Sequence, residues 1–171
     1  MKNHTVYTHD LLVRTNLRYH NERKKTIKKG VYPLAIFGVT PILLDIFIDN
    51  CHIAFVGTFF LGLLVILLAT LKNMSKSKIN DVVAKSLESV PCHINDYEFT
   101  DSEIKIASTN TYGQAALSCS YGFLSETVKL DDKSFYFVLK SGIVYPVYDE
   151  NGIKEMFSYV CSRKMKYDNM N

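Results

Sequence analysis

The spacing of apolar positions changes several times along this 171-residue chain. Residues 31–48 read VYPLAIFGVTPILLDIFI, apolar on every side of a helix and carrying a single charge, Asp45. Residues 53–71 read IAFVGTFFLGLLVILLATL and carry none. A helix needs roughly 20 apolar residues to cross the hydrocarbon core of a bilayer, so each run predicts a transmembrane helix. A carboxylate at mid-bilayer would cost at least about 2.5 kcal/mol. Asp45 lies close to the end of its run, which predicts a position near the interface, and Pro41 predicts a kink in the first helix. Only Asp49, Asn50, Cys51 and His52 separate the runs, so the two helices are expected to form an antiparallel hairpin over residues 31–71. Thirty residues precede the first run and no small-residue cleavage site follows it, which argues against a cleaved signal peptide.

Beyond the second run the period becomes amphipathic and then alternating. Ile79, Val82, Val83, Leu87 and Val90 fall on one helical face, predicting a juxtamembrane helix over 72–90 that continues from the second span and is ended by Pro91. From residue 91 short strands alternate with turn signals: Thr100-Asp101-Ser102, Asn110-Thr111-Tyr112-Gly113, Asp131-Asp132-Lys133 and Ser141-Gly142. That spacing predicts an antiparallel, curved β-meander of up to six strands. Pro146 marks the last strand as one with a free edge. Ile153, Met156, Phe157, Val160 and Cys161 then follow helical spacing and predict a closing helix packed across the meander. The fold class expected is a membrane α-hairpin of two transmembrane helices plus a small α+β domain over 91–171.

Charge orients these pieces. Residues 1–30 carry eight Lys or Arg against two acids, whereas residues 91–171 carry eight against eleven. Arg23, Lys24, Lys25, Lys28 and Lys29 precede the first run; Lys72, Lys76 and Lys78 follow the second; the connecting turn has no Lys or Arg. Loops rich in Lys and Arg stay in the cytoplasm, so this cluster is expected to fix a multi-pass protein of the inner cell membrane with both termini cytoplasmic. Residues 1–30 read as a cytoplasmic basic segment, its stretch from Leu11 to Tyr19 an amphipathic helix suited to the anionic leaflet. Ala54, Thr58 and Gly62 recur at a spacing of four and form a candidate helix-packing face, toward either the first helix or a second copy.

Candidate chemistry adds little. No GxSxG, HExxH, phosphate-binding loop or GxGxxG is present. Cys51, Cys92, Cys119 and Cys161 are too far apart in sequence for a ligand pair and read as small packing residues. Asp45 beside His52 would suit a proton relay, but an interfacial carboxylate near an exposed turn histidine accounts for both. The expectation is a non-enzymatic protein with no catalytic residues, no cofactor, no metal and no nucleic-acid partner.

The segment HINDYEFTDSEIKIAS, the Ser125-Glu126-Thr127 step, the hairpin SFYFVLKSG with the following IVYPV, and the closing helix resemble the bacterial YcxB-like family over most of the chain. The resemblance implies two close spans followed by a PH-like domain in a membrane protein of unknown activity, and it supplies no catalytic residues. A full PH-like domain has seven strands, one more than the alternation yields. A phosphoinositide site would need clustered cations, and the strands offer only the dispersed Lys105, Lys129, Lys133 and Lys140. The functional expectation is an anchor in the lipid bilayer that presents its β domain, by apolar two-faced strands such as Phe135–Leu139, to a protein partner or a second copy as a homo-oligomer. The alternative is a small transport or channel-type component with Pro41 and Asp45 lining a path.

Overall fold

The structure, a computed structural model, describes residues 1–48, 53–73, 75–89 and 93–169. The turn at 49–52, together with Val90, Pro91 and Cys92, lies outside the described residues. The chain divides into two compact units: Met1–Asn16 with Asn80–Asn171, and Leu17–Ile79.

The first unit begins where no strand is expected. Lys2–Val6 forms strand β1 and pairs antiparallel with β2, His93–Phe99. Strands β3, Glu103–Asn110, and β4, Gly113–Ser120, complete a four-stranded sheet in the order β1-β2-β3-β4. Strands β5, Leu124–Lys129, β6, Ser134–Leu139, and β7, Val144–Tyr148, form a three-stranded sheet in sequence order. The count among the described residues is seven, not six. The domain is therefore not confined to 91–171; it takes its first strand from the segment assigned to a basic cytoplasmic arm. The reason β1 escapes sequence reading is chemical. Its inward positions are Asn3 and Thr5, so it lacks apolar alternation. Both are buried and bridge to β7: Asn3 Nδ2 donates to the Tyr148 carbonyl at 3.0 Å, and the Tyr148 N–H donates to Thr5 Oγ1 at 3.0 Å. These bonds stitch the two sheets together where no backbone ladder runs.

The core between the sheets holds Tyr97, Phe99, Ile104, Phe135, Phe137 and Val147, each at most 1% exposed. Burying such a side chain contributes about 1.5–3 kcal/mol. The closing helix α4, Lys154–Asp168, lays Ile153, Met156 and Val160 on this core, as its spacing predicts, and Phe157 meets Phe135 edge-on at 5.6 Å. Gly142 sits at φ 87° in the turn between β6 and β7, a conformation L side chains rarely adopt. Ser125 is the extra residue of a bulge, since Leu124 pairs with Leu139 and Glu126 with Val138. Pro146 lies in β7, which ends its sheet, as its ring requires.

Strand β6 corrects the expectation of a two-faced contact strand. All six of its residues are buried, because it is the central strand of its sheet and both faces are covered. Its apolar residues are core.

Helix α1 runs unbroken from His9 to Phe47, with Pro33 and Pro41 inside it. The amphipathic segment and the first apolar run are thus one helix of 39 residues, about 58 Å at 1.5 Å per residue. Thr8 starts it, its hydroxyl accepting the Leu11 N–H at 3.2 Å. The second apolar run is α2, Ala54–Asn73, and the third helix is separate, α3, Lys76–Ser89. On α3, Ile79 and Val83 are buried while Val82 is 66% exposed, so the predicted apolar face is narrower than five residues.

Candidate functional site

Helices α1 and α2 each contain a stretch long and apolar enough to cross a membrane, and only 6% of either stretch is buried. The covered positions fall on one stripe of each helix. On α1 they are Leu34, Ala35, Gly38, Pro41, Ile42 and Asp45; on α2 they include Gly57, Phe60, Leu61, Leu64 and Leu67. The crossing is built on two glycines. A Cβ added to Gly57 would lie 2.5 Å from the Gly38 carbonyl oxygen, and one added to Gly38 would lie 2.7 Å from Leu61 Cδ2. Phe37 and Phe60 pack at 5.8 Å across the same contact. Of the predicted packing face, Thr58 and Gly62 are exposed and Ala54 is half-covered, and a Cβ on Gly62 meets nothing within 4 Å. That stripe is therefore not the face the hairpin packs on. Asp45 has a structural role: its carboxylate accepts the backbone N–H of Ile53 at 3.0 Å, capping the start of α2.

The predicted basic residues do not converge. Arg23, Lys24, Lys25, Lys28 and Lys29 are spread around α1, Lys72 is on α2, and Lys76 and Lys78 are on α3. Lys25 pairs with Glu22 at 3.1 Å, and the Arg23 guanidinium lies 5.0 Å from the Tyr19 ring centre. Cations distributed around a helix suit a charged collar rather than a ligand pocket.

On the β domain, a shallow concavity of about 840 Å³ covers the outer face of the four-stranded sheet. Ala107 and Ala116 form its floor. Around them His4 pairs with Asp96 at 2.6 Å, Lys2 with Glu98 at 3.7 Å and Lys105 with both Glu98 and Glu103. Pairs this exposed stabilise little, and they leave no cation cluster for a phosphorylated ligand.

Inside, Asn95 Nδ2 donates to the hydroxyls of Tyr7 and Tyr97 at 2.6 and 3.0 Å, and Tyr97 donates to the Pro146 carbonyl at 2.9 Å. Burial pushes both phenols far above their ordinary range, so they act as neutral hydrogen-bonding groups that tie β1, β2 and β7 together. Burial likewise raises the Cys119 and Cys161 thiols, which keeps them from the thiolate form that nucleophiles and metal ligands use. Among the described residues no three His, Cys, Asp or Glu side chains are grouped to hold a metal ion.

The β2–β3 turn clamps α4. The Tyr159 hydroxyl donates to Asp101 at 2.8 Å and Arg163 pairs with the same carboxylate. First the Tyr159 bond and then the Arg163 charge hold Asp101 below its ordinary value of 3.8. A depressed folded-state value means the clamp contributes above about pH 4 and is lost as pH falls through the lower folded value. Asp101→Asn is expected to lower the melting temperature modestly at neutral pH, since the pair is exposed. The difference from the unsubstituted chain should shrink as pH falls below the ordinary value of 3.8 and vanish once pH is below the depressed folded value. Near-ultraviolet circular dichroism of the tyrosines during thermal melts checks this; a gap that persists at low pH would contradict it.

Sequence thus located the two apolar helices, the basic residues and most strands, but missed β1, the Gly38–Gly57 crossing and the capping role of Asp45. Comparison of the chain with protein families, with curated proteins and with solved structures finds no match to any of them.

Proposed function

We propose that this chain is a non-enzymatic anchor of the inner cell membrane, with two spans at residues 31–48 and 53–71 and both termini cytoplasmic. It presents a small β domain to a protein partner or a second copy. One observation carries the reading: β1 precedes both apolar helices, yet it pairs with β2, which follows them. Strands of one sheet share one compartment, so a chain that enters a membrane between them must cross it an even number of times. Two helices of sufficient length and hydropathy meet that condition. Their surface adds support. Phe55, Phe59, Val65 and Ile66 on α2 are each more than 60% exposed, an arrangement that water disfavours and lipid accepts. The cytoplasmic assignment rests on Lys and Arg at both flanks and their absence from residues 49–52.

Seven strands in sheets of four and three, closed by a C-terminal helix, support the YcxB-like, PH-like reading better than six strands did. The absence of a cation cluster among the described strand residues argues for a protein partner over a phosphoinositide.

A thiol reagent that cannot cross membranes tests the topology. Applied to intact cells, it should label Cys51 and spare an exposed reporter, Tyr112→Cys, in a chain with its other cysteines replaced; residue 112 is 80% exposed. Labelling of the reporter should appear only after the membrane is opened. Its labelling in intact cells would overturn the orientation.

A further inference from the structure

Strand β4 ends its sheet. It pairs with β3 along Gly113–Ser120, and among the described residues no strand pairs with its other edge. An unpaired edge is a row of backbone donors and acceptors open to another strand, and proteins guard such edges with lysine, proline, bulges or brevity. Strand β4 has none of these guards. It is eight residues long, GQAALSCS, without a charge or a proline, and its ladder to β3 is regular throughout. Residues 113–118 are all exposed. Leu117 shares the inward face of Cys119, yet it is 41% exposed. Beside it a recess of about 290 Å³ opens between Cys119, Phe123, Leu139 and Lys140, and Phe123 is 61% exposed. An added strand finds both a backbone edge and an apolar lining for alternate side chains.

We infer that a second copy of this chain occupies this edge, β4 pairing antiparallel with β4 of its neighbour about a two-fold axis; the inference rests on the membrane-anchored reading above. Charge favours a second copy. The edge is uncharged, so pairing it with itself sets no like charges opposite one another. Ala115, Ala116 and Ser118 are small enough for close self-approach. Copies inserted in one membrane with one orientation meet at raised effective concentration. A two-fold pair also closes on itself, so an unguarded edge of this kind does not propagate into fibres.

Cross-linking of the full chain in opened native membranes tests this. In a chain with its native cysteines replaced, Gln114→Cys, Ala115→Cys, Ala116→Cys, Leu117→Cys and Ser118→Cys are each treated with a short thiol–thiol cross-linker. A two-fold axis gives a sharp maximum of dimer at one or two of these positions. Tyr112→Cys, exposed but outside β4, gives little. Placing a lysine at the position of that maximum, with the reporting cysteine moved to the neighbouring residue, should lower the dimer about tenfold, because two lysines then face each other across the seam. Uniformly weak cross-linking, a dimer indifferent to the lysine, or a product containing another protein would each overturn the proposal. Alkaline carbonate extraction keeps the two readings separate. A chain that stays in the membrane but fails to cross-link refutes only the β4 pairing; a chain released by carbonate refutes the anchor.

Discussion

Residues 91–171 produced alone will not give a protease-resistant domain, whereas a chain in which a flexible linker replaces Leu17–Ile79 will. The shorter piece lacks β1, and with it the five-residue ladder to β2 and the Asn3 and Thr5 bonds to Tyr148. At about 1 kcal/mol net for each hydrogen bond, these losses amount to several kcal/mol. The piece also lacks Tyr7, leaving the buried Asn95 amide short of a partner, which costs a further ~1–3 kcal/mol. The total is comparable with the whole stability of a small domain, about 5–15 kcal/mol. The linked chain keeps all of these groups. Its linker costs little, because closure entropy grows by only about 0.6 kcal/mol for each doubling of length. Limited proteolysis and urea titration of both chains decide the matter; a resistant, cooperatively unfolding 91–171 fragment would show that β1 is dispensable.

The same strand shows how far sequence reading reached. Elements with an apolar period were legible: both long apolar helices, β2 through β7, and the face of α4 that meets Phe135. The hydrophobic effect acts through that period, so the period is visible in one dimension. Strand β1 was not legible, because its buried positions are Asn3 and Thr5 and its partner lies about 90 residues away. Polar residues buried by hydrogen bonding look identical, in sequence, to polar residues in water. Strand β6 erred in the other direction: apolar residues on both faces signal burial on both faces, and that is compatible with a central strand as well as with an interface.

The helical hairpin is inserted between β1 and β2. A domain appended after a span is tethered by one connection. Here the chain leaves the β domain through α1 and returns through α3, so the domain is joined to the helical hairpin by two connections. Strand β1 must wait for residues 93–99 before it can pair, because it has no other ladder partner among the described residues.

Gly57→Leu should pull the hairpin apart, while Gly62→Leu, one and a half turns away on the same helix, should not. Both changes add the same side chain to an apolar helix, so their difference isolates packing from hydropathy. At Gly57 the first added carbon already lies 2.5 Å from the Gly38 carbonyl oxygen and 2.7 Å from Ile42 Cγ1. The first of these is backbone and cannot turn away. Overpacking typically costs 1–3 kcal/mol even where side chains can adjust, and in lipid no hydrophobic gain compensates for parted helices. At Gly62 nothing lies within 4 Å. The readout is cross-linking between Phe37→Cys and Phe60→Cys, whose rings lie 5.8 Å apart in the intact hairpin. Gly57→Leu is expected to lower that cross-linking by about tenfold or more, with Gly62→Leu indistinguishable from the parent. The reverse pattern would move the contact to the stripe of Ala54, Thr58 and Gly62 and would show that the two helices meet on the opposite face.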